Sequence, residues 1–205
     1  GVGITRVVLV DNDSIYPPLI EYLERSEYQV IETLSNVGHT VLWSSSFIKL
    51  LAPDEFYIVT DPDVMPVSES IEVIKRLYEA HEQFPHHLKA GLALKIDDLP
   101  DHYKLSKSVK DWEKQFWKVK LADDIYEAGV DTTFALYKPF TYNYFLHPSI
   151  RVAGHCEARH LPWYANSTKR TQEDLFYQLR ADPSVNSWDS DNLPDRYVQE
   201  LKKHK

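Results

Sequence analysis

Asp61-Pro62-Asp63 sets two carboxylates one residue apart, directly behind the apolar run 55–60. Such a pair offers hard oxygen ligands to Mn²⁺ or Mg²⁺, and a cation held there can bridge and neutralise two phosphate groups. Capping of the next helix is the ordinary alternative for an Asp-x-Asp triplet. Two features favour the ligand: Pro62 restricts the backbone, and Met65-Pro66 delays the helix that a cap would need. Two more polar tips follow apolar runs, Asp11, Asn12, Asp13 and Ser14 after 6–10, and Asn36, Gly38 and His39 after 28–34. Loops at the carboxyl ends of neighbouring strands are where open α/β sheets bind ligands. The structural alternatives are an αL turn at Asn36 and Gly38, and a cap by Ser14 on a helix that Pro17 opens.

A hydroxyl that attacks as a nucleophile needs a base to take its proton, and Asp131 leads the candidates, with Asp97 and Asp98 in reserve. A cap on the 129–132 bend is an equal alternative for Asp131. His160 is either a ligand-facing or a satisfied core histidine. Arg151 and Arg159 can offset diphosphate charge or form surface ion pairs. Trp163 and Tyr164 follow Pro162 in an irregular stretch and suit exposed stacking on an acceptor molecule, whereas Trp112 and Trp117 share one amphipathic helix and suit the core.

These groups need a scaffold, and the chain supplies its pattern. Apolar runs at 6–10, 28–34, 55–60, 88–96 and 133–138 read as strands. Between and beyond them, 17–23, 41–51, a segment capped by Ser68 with Ile71, Ile74, Leu77 and Tyr78 on one face, a stretch around Trp112, and 171–179 read as helices. The alternation predicts an α/β fold with a mainly parallel, twisted sheet flanked by helices. With 205 residues, 43% of them hydrophobic, one domain spanning 1–205 is expected. Its parts would be a nucleotide-binding half (about 1–96), an acceptor and metal half (about 97–182) and a polar tail (183–205). A net charge of -8 gives no general attraction to nucleic acid or to an anionic membrane, so any phosphate site must be local. One cysteine, Cys156, excludes an internal disulfide and suits a reducing compartment. No apolar run approaches the roughly 20 residues that span a bilayer, so a soluble, cytoplasmic protein is expected.

Taken in order, residues 8–14, 36–39, 56–63 and 131–137 resemble the GT-A family of nucleotide-sugar glycosyltransferases, over most of the chain. With 151–154 and 159–164 added, the chain is similar to a small bacterial and viral subgroup, which for a viral member implies the host cytoplasm. The resemblance implies a UDP-sugar donor, Mn²⁺ or Mg²⁺ as cofactor, and a glycan hydroxyl, including one on a glycoprotein, as acceptor. It implies that Asp11 to Ser14 meet the base and ribose, that Asn36 and Gly38 line the nucleotide pocket, and that Asp61 faces ribose or metal through water. Asp63 would be the direct metal ligand and His160 a further contact to metal or diphosphate. Two rivals remain. A sugar-phosphate nucleotidyltransferase would commonly carry a Gly-rich, basic loop where this chain has Asp11-Asn12-Asp13-Ser14, and a non-catalytic nucleotide-sugar-binding module would bind without turnover.

Overall fold

The computed structural model describes residues 3–44, 47–51, 54–180, 188 and 199. Two short apolar segments, β1 (Val8–Asp11) and β2 (Gln29–Glu32), pair in parallel across helix α1 (Pro17–Glu24). Pro17 starts α1 at no cost, because the first helical N–H has no intrahelical partner. The N-cap is Tyr16, with no side-chain cap, so the expected cap by Ser14 is not formed; the Ser14 amide donates to Asp11 Oδ1 at 3.3 Å. The expected helix over 41–51 is described as two short pieces, α2 (Val41–Ser44) and α3 (Ile48–Leu51), with residues 45 and 46 outside the described set.

The remaining strands are β3 (Tyr57–Val59), β4 (Val64–Pro66), β5 (Lys89–Leu92), β6 (Lys120–Ala122), β7 (Ile125–Glu127), β8 (Ala135–Tyr137), β9 (Ser149–Val152) and β10 (Ala158–His160). Six of them form one sheet in the order β3-β8-β5-β9-β7-β6, and β10 pairs with β4 separately. Here the sequence expectation is corrected: the sheet is mixed, with β5–β9 its one parallel pairing and β8 antiparallel to both neighbours. Strand direction leaves no trace in the apolar pattern. β5 and β8 are buried at every position and lie in the apolar runs 88–96 and 133–138, which look the same whichever way the strands point, whereas β9, also buried throughout, carries Ser149 and Arg151 and falls outside the expected strands.

Helix α4 (Ser70–Gln83) lies on this sheet through Val73, Ile74, Leu77 and Ala80, all buried. The expected stripe is therefore rotated: Ile71 and Tyr78 are 52% and 37% exposed. Ser68 lies outside the helix and donates to the His155 carbonyl instead of capping it. Helix α5 (Ser106–Glu113) adds Val109 to the same core, which also takes in Trp163 and Trp188. Helix α6 (Gln172–Arg180) opens with a reciprocal cap, Asp174 N–H to Thr171 Oγ1 at 3.1 Å and Thr171 N–H to Asp174 Oδ2 at 2.7 Å. Apart from Trp188 and Gln199, the expected tail (183–205) lies outside the described residues. Among the described residues no helix is long and apolar enough to cross a membrane.

Gly91, inside β5, is required by close approach: a Cβ there would stand 2.5 Å from Val130 Cγ1 and 3.3 Å from Ala135 Cβ. Gly91→Ala is expected to cost about 1–3 kcal/mol by overpacking, read from urea unfolding. A variant as stable as wild type would mean that Val130 moves aside freely.

Candidate active site

Strand β3 delivers Asp61. Its amide donates to the Thr132 carbonyl at 3.0 Å, and its Oδ2 accepts from Thr132 Oγ1 at 2.6 Å, so the end of β3 is stapled to the segment that precedes β8. Burial pushes the Asp61 carboxyl up to about 7; the Thr132 bond opposes this, Asp63 and Asp131 push further in the same direction, and His160 pulls back. Three carboxylates and an imidazole thus share one electrostatic neighbourhood.

Asp63 stands just before β4, which pairs antiparallel with β10 so that His160 lies opposite Val64. The Leu161 amide donates to the Asp63 carbonyl at 2.8 Å and fixes the crossing. His160 Nε2 sits 3.4 Å from Asp63 Oδ2, and its ring packs edge-on to Trp163 at 4.9 Å. Asp63 Oδ1 and His160 Nδ1 are both buried without a hydrogen-bond partner among the described residues. An orphaned, buried carboxylate oxygen with the Asp61 carboxyl two residues before it offers hard oxygen donors of the kind Mn²⁺ or Mg²⁺ takes. Among the described residues no three His, Cys, Asp or Glu side chains close around one point. A cation there would share its coordination with substrate oxygens, as Mg²⁺ does when one or two carboxylates hold it.

Asp131 is exposed, and its Oδ1 accepts from the Thr132 amide at 3.0 Å and from the Tyr144 hydroxyl at 2.6 Å. Oδ1 thus holds the amide of the next residue, and no bond to an amide two or three residues on makes it a turn cap among the described residues. Tyr144 also meets the His39 ring at 5.8 Å, edge-on, which links this carboxylate to the loop after β2. That loop is tied to the loop after β1 by one side chain. Asn12 Nδ2 donates to Asn36 Oδ1 and to the Gly38 carbonyl, each at 3.0 Å, while Asn12 Oδ1 accepts from the Val37 amide at 3.0 Å. Gly38, at φ +81°, turns its amide onto Asn36 Oδ1 at 2.9 Å, a conformation that favours glycine. Asn12, Asn36 and Gly38 thus fasten the two loops to each other, and Asp13, at φ +63°, turns the tip.

The remaining candidates separate. Asp98 Oδ2 receives both Nε and Nη2 of Arg159, at 3.0 and 2.6 Å, and Asp98 Oδ1 receives the Tyr164 hydroxyl at 2.5 Å. Burial would raise the Asp98 carboxyl, yet the bonds from Tyr164 and Arg159 outweigh it and hold it below the usual range. Arg159, expected beside the donor, therefore has its charge met by Asp98, and strand alternation turns it to the face opposite His160. Asp97 pairs with Lys95 at 2.6 Å. Trp163 is corrected from acceptor platform to core: it is 2% exposed, beneath His160 and against Trp188. Arg151 is corrected likewise. It is 5% exposed and donates to Glu113 Oε2 at 2.7 Å and to the Gly129 carbonyl at 2.9 Å. A surface depression of about 670 Å³ runs along α1 from Pro18 past Tyr22 to Arg25 and Tyr28, and none of the candidate residues lines it.

Thr132 and Tyr144 escaped the sequence reading. Thr132 belongs to a quoted segment but looks like an ordinary strand-edge threonine, and Tyr144 lies in a stretch with no periodicity.

Asp61 gives a pH signature. It ionises at about 7 in the fold and at 3.8 in a free chain, so the stability from its neutral form is complete below pH 3.8. That stability is lost as pH rises through 7, at most on the order of 4 kcal/mol. Metal-free urea unfolding between pH 4 and 8 should show the decline and Asp61→Asn should flatten it; equal slopes for both proteins would contradict the assignment.

No protein-family model, no curated protein and no solved structure matches the chain.

Proposed function

We propose that this chain is a metal-dependent glycosyltransferase of the GT-A type, moving a sugar from a UDP-sugar to a glycan hydroxyl. The observation that carries this reading is the gathering of Asp61, Asp63, Asp131 and His160 at one place, with the buried Asp63 Oδ1 unpartnered among the described residues. A carboxyl such as Asp61, whose ionisation burial and neighbouring carboxylates oppose, is stabilised in its charged form by a cation, and a diphosphate is the natural anion to share it. The mixed sheet and the β1–β2 unit are compatible with that fold, and a cytoplasmic site of action belongs to the same proposal.

Mn²⁺ or Mg²⁺ bound there would supply Lewis-acid neutralisation of the diphosphate. Asp63 would hold it through Oδ1, with Asp61 ionising as the cation enters and His160 beside them. The Asn12-tied loops, Asp11 to Ser14 and Asn36 to Gly38, would enclose the uridine through their backbone and polar tips. Asp131 Oδ1 is occupied by Thr132 and Tyr144, which leaves Oδ2 to take or orient the acceptor proton. Asp97, Asp98 and Tyr164 would border the acceptor, with Arg159 fixing Asp98.

A thermal-shift panel of nucleotide sugars, with and without Mn²⁺, tests the reading. A UDP-sugar at a hundred times its Kd should stabilise the protein by about 2.7 kcal/mol, and only with metal. Pyrophosphate release from a nucleoside triphosphate and a sugar phosphate would favour a nucleotidyltransferase. Metal-dependent UDP binding without transfer or donor hydrolysis would favour a binding module. Asp131→Asn is expected to cut kcat by about 10²–10⁴-fold, measured as UDP release, with UDP affinity unchanged.

A further inference from the structure

Strand β5 opens with Lys89, a lysine with 0% exposure. Its ammonium donates to the Val130 carbonyl at 2.5 Å and to the Phe145 carbonyl at 2.6 Å. The rings of Phe145, Tyr137 and Tyr144 surround it, with centroids at 4.9, 5.1 and 5.8 Å. Lysine is almost never fully buried, and removing an ammonium from water carries a large penalty. Here that penalty is met by two neutral carbonyls and three π faces, and among the described residues by no hydrogen-bonded carboxylate. Burial lowers the Lys89 pKa to about 8, with Asp131 opposing and Arg151 assisting the shift, so the side chain remains a cation at neutral pH.

The two carbonyls belong to informative residues. Val130 immediately precedes Asp131, and Phe145 immediately follows Tyr144; the two segments meet where the Tyr144 hydroxyl donates to Asp131 Oδ1. Val130 is also held at its other end, where its amide donates to Ser149 Oγ at 3.2 Å, and Gly91 leaves the room its side chain occupies. A core that needed only packing would be served at least as well by an apolar side chain of similar volume. What an apolar side chain lacks is the ability to bind both carbonyls at once.

We propose that Lys89 is a positioning residue: its buried ammonium clamps the 130–131 and 144–145 segments together, so that the Asp131 carboxylate and the Tyr144 hydroxyl stay aligned at the mouth of the site. The catalytic consequence rests on the role given to Asp131 above; the clamp itself does not. The clamp's two hydrogen bonds fall on carbonyls one residue away from each aligned group, and the ammonium meets Tyr144 through its ring.

Two measurements test it on the full chain. In wild-type protein labelled with ¹⁵N-lysine, one ammonium resonance should be protected from water exchange and show contacts to the Tyr144 ring; its absence would overturn the clamp whatever any variant does. In Lys89→Met, amide exchange in 130–132 and 144–146 should accelerate at least about tenfold, while α4 keeps its protection. In the same variant UDP affinity with Mn²⁺ should stay within about threefold of wild type, whereas kcat for UDP release falls on the order of 10²-fold, the loss expected of a misplaced catalytic group. Unchanged exchange in both segments would overturn the clamp. Faster exchange with kcat intact would overturn the positioning role. If wild type releases no UDP from any donor, the proposed function fails while the resonance and exchange results still decide the clamp.

Discussion

Asp63→Ala is expected to abolish the Mn²⁺-dependent part of UDP binding and to lower UDP release by about 10²–10³-fold, the loss typical of removing one preorganised electrostatic contact. The carboxylate has one buried oxygen with no partner among the described residues and the other 3.4 Å from His160 Nε2. A side chain left in that state is costly to the fold unless something binds it. Removal should therefore leave the metal-free protein at least as stable as wild type at pH 8, because Asp61 loses a neighbour that opposes its ionisation. The combination separates the account from a folding defect: undiminished stability without ligand, and no metal-dependent shift with it. Thermal melts of both proteins, with and without Mn²⁺ and UDP, read both halves.

Arg151→Met is expected to have the largest effect on stability, about 3–5 kcal/mol, because it strands a buried charge. Glu113 is 2% exposed and its ion partner is Arg151, whose guanidinium also stacks on Phe116 at 3.7 Å and holds the Gly129 carbonyl. Burial alone drives the Glu113 carboxyl upward, with Arg151 opposing. Urea unfolding should show the loss, and the double variant Arg151→Met with Glu113→Leu should recover most of it. Failure of the second change to recover stability would mean that the Gly129 bond and the ring contact matter more than the charge pair.

Much of the scaffold was legible because it rests on local pattern. The apolar runs at 6–10, 28–34 and 55–60 gave β1, β2 and β3 with their polar ends, and the 3.6-residue period gave α4. The acidic pair behind β3 also lies beside Asp131 and His160, although its partners come from 70 and 97 residues further along the chain. Three things were not legible, each for a physical reason. Strand direction is invisible in a strand buried on both faces, so β8 running against β3 and β5 was unforeseen. Lysine and arginine read as surface residues, yet Lys89 and Arg151 are interior cations satisfied by carbonyls, rings and Glu113, partners that only the tertiary fold assembles. Trp163 followed a proline in an irregular stretch, which suggested exposure, but a short 3-10 turn (Leu161–Tyr164) drives it inward under His160.

The most direct test is a crystal of the wild-type protein soaked with Mn²⁺ and UDP. The account predicts an anomalous peak within coordination distance of Asp63 Oδ1, about 2.1 Å, and bridging to the diphosphate, with uridine between the loops that Asn12 ties. Nucleotide bound elsewhere, with Asp63 still facing His160 and no ion beside it, would contradict it.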